Sequence, residues 1–115
     1  MNLAQIRKFA LSLPEVKEEP HFHRISFRVR GKIFVTADPN EPYIHIFVGE
    51  DVRDPILAIH PNCVEKLLWG RKVVGLRVSL KDSESALVKE LVSSGWQAKA
   101  PKALLKGLGS KKDEG

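Results

Sequence analysis

Residues 24–37 leave this chain little conformational freedom. Ile25, Phe27 and Val29 alternate with Arg24, Ser26, Arg28 and Arg30, the period of a strand with one apolar and one polar face. Gly31 follows, and then Lys32 leads a second run containing Ile33, Phe34, Val35 and Thr36. Two strand-forming runs across a glycine turn predict an antiparallel hairpin. Asp38-Pro39-Asn40 is turn chemistry, and residues 43–48 form a third strand. In that strand Ile44, Ile46 and Val48 share one face while Tyr43, His45 and Phe47 share the other. A meander of this kind needs a cover for its apolar face.

The flanking segments supply one. Asn2 and Gln5 have the spacing of a capping box, and Leu3, Ile6, Phe9, Ala10 and Leu13 fall at helical intervals. Pro14 ends that helix. Residues 15–20 read as an acidic connector. Asp54-Pro55 predicts a short helix through His60, with an alternative start at Asp51. Residues 65–69 are a short apolar segment, Gly70-Arg71-Lys72 a basic turn, and 73–80 a strand. Asp82 or Ser83 caps a last helix whose stripe is Leu87, Val88, Leu91 and Val92. Gly95 begins to end it, and Trp96 lies just beyond as a core residue. The expected fold is α+β, an antiparallel sheet with helices on one face, in the order α-β-β-β-α-β-β-α.

The 115 residues suit a single domain, placed at 1–105, with 106–115 a flexible tail because it lacks apolar anchors. No apolar run approaches the ~20 residues that cross a bilayer, and the N-terminus does not read as a secretory signal. The single Cys63 excludes an internal disulfide. A cytoplasmic location is expected. Net charge is +5; the tail's three lysines against Asp113 and Glu114 contribute +1 of it. A basic surplus assists polyanion binding and also arises in proteins that bind none.

Several local strings stand out by their order and spacing: Leu13-Pro14-Glu15, His21-Phe22, Phe27-Arg28-Val29, Gly31-Lys32-Ile33-Phe34, Trp69-Gly70, and Trp96 followed by Ala100-Pro101-Lys102. Together they resemble the bacterial MmcQ/YjbR family over residues 1–105. The resemblance implies a compact α+β fold likened to a double-wing DNA-binding arrangement. It implies no catalytic residue set. DNA binding is ascribed to the family by fold analogy, which does not by itself fix function.

Candidate sites follow from charge. Arg24, Arg28, Arg30 and Lys32 place cations along the polar strand face, where guanidinium groups can meet successive phosphates. Tyr43, His45 and Phe47 on the same face can stack on unpaired bases. The alternative is a solvated face whose arginine stems cover aromatics. Arg71 and Lys72 form a basic tip beside Trp69; there the alternative puts Trp69 in the core and leaves two solvated cations. Lys102, fixed by Pro101, joins Lys99, Lys106, Lys111 and Lys112 as a basic C-terminal set or as helix-end cations. His21-x-His23 and His60-x-x-Cys63 lack the third ligand a zinc site requires, and no nucleophile has a base at workable spacing. No metal, cofactor or enzymatic activity is expected.

Two function classes remain. One is a non-catalytic, low-specificity DNA-binding module. The other is a protein-interaction or small regulatory module whose basic surface only confers solubility. The first calls for contiguous positive charge, the second for scattered cations and an exposed apolar patch. Monomer and weak homodimer through a sheet edge are both open.

Overall fold

The computed structural model describes residues 1–105; the expected tail lies outside the described residues. Helix α1 (Leu3–Ser12) is followed by four strands, β1 (Val16–His21), β2 (Arg24–Val29), β3 (Lys32–Ala37) and β4 (Tyr43–Ile46). Helix α2 (Glu50–Ile59), strands β5 (Val64–Trp69) and β6 (Lys72–Ser79), and helix α3 (Ser85–Lys99) complete the order. The six strands form one antiparallel sheet, β1-β2-β3-β4-β6-β5. The α+β class and the helices on one face stand as expected.

Register explains which face is covered. Phe27 opposes Val35, Val35 opposes Ile46, and Ile46 opposes Leu76, so one apolar row crosses four strands. All four residues are fully buried. A bulge between Phe27 and Arg28 leaves Phe34 as the extra residue of β3, and Phe34 and Val35 are both buried. Ile6 and Ala10 of α1, and Leu87, Val88, Leu91, Val92 and Trp96 of α3, complete this core.

Three elements differ from the sequence reading. Residues 16–21 are not a connector: they pair along β2 from Val16↔Val29 to His21↔Arg24. Helix α2 begins at Glu50, near the alternative start, and contains Pro55 in its interior. Helix α3 runs through Gly95 to Lys99. Glycine lets the helix pack closely there: a Cβ would lie 3.1 Å from Ile46 Cγ2 and 3.2 Å from the Phe34 carbonyl oxygen, tight contacts that the neighbours would have to ease.

Three two-residue turns close the hairpins. Phe22-His23 joins β1 to β2, Arg30-Gly31 joins β2 to β3, and Gly70-Arg71 joins β5 to β6. Positive φ at Arg30 (47°) and Gly31 (82°) gives the type I′ geometry that matches strand twist. The Phe22 and Gly70 turns lie at the starts of β2 and β6. Those strands sit near opposite edges and run in opposite directions, so the two tips occupy diagonal corners of the sheet. Sheet twist lifts one diagonal pair of corners toward the same face.

Candidate functional site

The raised corners wall a cleft of about 510 Å³ on the face without helices. Its floor holds Thr36, His45, Phe47 and Val74. One rim is His21-Phe22-His23-Arg24 and the other is Leu67-Leu68-Trp69. Phe22 is 91% exposed, Trp69 79% and Leu68 58%. Trp69 is therefore a surface residue and not the core residue that its type suggested. Exposed aromatics facing one cleft form an apolar patch of the kind that marks binding.

Phe22 carries a second signal. Its φ is +58°, a left-handed conformation that a bulky side chain adopts at a cost of roughly 1–2 kcal/mol. The turn is tight and would accept glycine or asparagine more easily. Strain of this sort, held at an exposed aromatic, gathers where a surface is used.

The expected cationic strand face is internally neutralised. Arg24 Nη1 donates to Glu41 at 2.8 Å and Arg24 Nε to the Thr36 hydroxyl at 3.2 Å. Arg28 lies 3.4 Å from Glu19 and donates to the Ser26 hydroxyl. Arg30 makes a two-point pair with Glu15 at 2.9 and 3.0 Å, and this holds the Glu15 carboxyl below its ordinary range. Arg77 pairs with Glu65 at 3.3 Å and stacks 3.4 Å above the Tyr43 ring. Glu15 precedes β1 and Glu19 lies within it, so the segment expected to be an acidic connector supplies two of these counter-charges.

The other candidates scatter. Lys32 stands at the β2–β3 turn and Lys102 follows α3; neither lines the cleft. Arg71 and Lys72 occupy the tip beside Trp69, exposed and, among the described residues, without a carboxylate within ion-pair distance. Lys72 lines a second hollow of about 490 Å³, together with Arg53 and Lys99. Phe47, Trp69 and Val74 line both hollows, so the apolar cleft opens directly onto this basic one. Lys106, Lys111 and Lys112 lie outside the described residues.

Among the described residues, no three His, Cys, Asp or Glu side chains gather as a metal site. None of the described helices is long and apolar enough to cross a membrane. Cys63 Sγ contacts the His60 carbonyl at 3.8 Å. His45 is stacked on Tyr43 at 5.9 Å. Burial, reinforced by the Arg24 charge, pushes its pKa from 6.5 down to about 4. The folded protein then resists taking up a proton that the unfolded chain accepts below 6.5. Stability is expected to fall as pH drops from about 6.5 to about 4. His45→Gln should flatten that window in a denaturation series; an unchanged slope would place the titration elsewhere.

The YjbR family model matches residues 11–98. In the solved structures, the chain is similar to Deinococcus radiodurans protein DR2400, a protein with the domain DUF419. Their TM-score is 0.74 at 17% identity, over 94% of this chain and 88% of that one. At that identity the likeness shows the fold alone. No curated protein matches the chain.

Proposed function

The chain belongs to the YjbR family, a family without an established activity, and from that premise we propose a non-catalytic module that binds an unpaired stretch of nucleic acid across its helix-free face. The observation that carries this is the exposed pair Phe22 and Trp69 on opposite rims of one cleft, with Arg71 and Lys72, which meet no carboxylate among the described residues, beside Trp69. Bases stack on exposed rings without needing sequence-specific contacts, and cations beside them meet the backbone. A cleft about 510 Å³ in volume with aromatic walls suits a flat ring better than a duplex backbone. The proposal assigns no reaction.

A second reading rests on the same cleft. Its lining is mainly apolar, and four arginines of the sheet face are matched by acids. That composition also suits a peptide segment of a protein partner.

Fluorescence titration with single-stranded and duplex oligonucleotides at two salt concentrations tests the first reading. Single strands should bind more tightly, and binding should weaken with salt. Arg71→Ala with Lys72→Ala should lower the salt slope by roughly 1.4, at ~0.7 for each lost phosphate contact. Arg28→Ala with Arg30→Ala should leave it unchanged, because those cations already have partners. Salt-independent binding, or none at low ionic strength, would transfer support to the peptide reading.

Phe22→Asn separates function from folding. Relief of the left-handed strain should leave stability equal or raised by up to ~1 kcal/mol, while stacking and hence affinity fall. A variant that is destabilised yet binds normally would contradict both halves.

A further inference from the structure

The basic hollow behind Trp69 has a geometry unlike a backbone track. Arg53 comes from α2, Lys72 from the start of β6 and Lys99 from the last turn of α3. Three elements distant in sequence converge on one space of about 490 Å³. Internal phosphodiesters carry one charge each and call for cations in a row. Cations brought from three elements to the lining of one hollow suit a single group of higher charge. A terminal phosphate monoester, with about −1.5 to −2 charges near neutral pH and three acceptor oxygens, is such a group.

The donors are available. Among the described residues, Lys72 and Lys99 have no carboxylate within ion-pair distance. Arg53 meets Asp54 through Nε alone, at 3.1 Å, which leaves both terminal amino groups for a second acceptor. The Asp54 side chain is 60% exposed and that of Arg53 15%, so water competes for the carboxylate end of the pair and leaves it open to exchange with a second anion. The start of α2 is not the source of attraction. Asp51 Oδ1 lies 3.1 Å from where a side chain on Gly49 would begin, and Glu50 and Asp51 already occupy the helix's first turn. Trp69 is common to both hollows. A ring stacked on the indole would therefore stand next to the three cations.

We infer that Arg53, Lys72 and Lys99 form a subsite for a terminal phosphate monoester whose attached nucleoside stacks on Trp69. This deepens the strand-binding reading and rests on it for the natural ligand, which is either the phosphorylated end of a strand or a free mononucleotide. The site itself can be tested without a strand.

The probes are thymidine, its 5′- and 3′-monophosphates, and one oligonucleotide with and without a terminal phosphate. Affinities are read by tryptophan fluorescence for the full chain and for Lys72→Ala with Lys99→Ala. A monophosphate should bind at least about tenfold more tightly than thymidine, as charge-assisted contacts imply. The double variant should erase that preference while retaining a native melting transition. A matching preference for the phosphorylated oligonucleotide assigns the site to strand ends. If monophosphates bind and no oligonucleotide does, the subsite holds for mononucleotides and the strand reading fails. Equal affinity for thymidine and its monophosphates, no binding of either, or a preference that survives the double variant overturns the inference.

Discussion

Trp96→Ala is expected to cost about 3–5 kcal/mol, the range for truncating a large buried aromatic. Trp96 is 3% exposed within the α3 stripe, and its indole N–H donates to the Pro14 carbonyl at 3.0 Å. That bond joins residues 82 apart in sequence and ties α3 to the segment between α1 and β1. The substitution opens a cavity and also leaves a carbonyl without its donor. For a domain near 100 residues, each kcal/mol shifts the melting point by ~4–8 °C, so a fall of more than ~12 °C is expected. Trp96→Phe keeps most of the packing and loses the hydrogen bond, so its loss should be near 1–3 kcal/mol. A melting point within a few degrees of the native value for the alanine variant would refute core placement. Trp69→Ala is the contrast: at 79% exposure it should change stability by less than ~0.5 kcal/mol.

Gly75→Ala is expected to be nearly as damaging although it adds one carbon. A Cβ at Gly75 would lie 2.0 Å from the Ile46 carbonyl oxygen and 3.0 Å from Phe47 Cα. Both contacts are backbone, so no side chain can rotate aside. Relief requires β4 and β6 to part where Ile46 pairs with Leu76. Overpacking costs of ~1–3 kcal/mol are usual, and this rigid case belongs at the upper end. Phe47 lines the aromatic cleft, so binding should weaken along with stability. Urea unfolding checks the first effect; a midpoint equal to the native protein's would show that the strands accommodate the methyl group.

The meander was legible because β2 and β4 alternate apolar and polar residues and β3 is a β-branched and aromatic run after a glycine turn, and the α3 stripe because its apolar spacing is helical. Strand β1 was not. Lys17, Glu18, Glu19 and Pro20 have low strand preference, and an edge position is what tolerates such residues. Their extended conformation comes from pairing with β2, which is a tertiary effect. Missing β1 had a consequence for the site. The acids of residues 15–20 looked like a separate connector, so Arg28 and Arg30 seemed free when they face Glu19 and Glu15.

The cleft was illegible for a related reason. Phe22 and Trp69 are 47 residues apart and meet one cleft only because twist raises diagonal corners of the completed sheet. Trp69 looked like core on residue type alone. One local sign was present: a phenylalanine between two histidines just before the first recognised strand is an unusual turn residue. The pairing of His45 with Phe47 on the outer face was read correctly from alternation. The convergence of Arg53, Lys72 and Lys99 depends on helix placement and left no trace in spacing.

The most direct test of the aromatic face as the binding surface is amide chemical-shift mapping with a short single-stranded oligonucleotide. Perturbations should concentrate at residues 21–24, 45–47 and 67–74, spanning both hairpin tips and the floor between them. Perturbations confined to Arg28, Arg30 and the β2–β3 turn, or spread over α1 and α3 on the opposite side, would contradict the assignment.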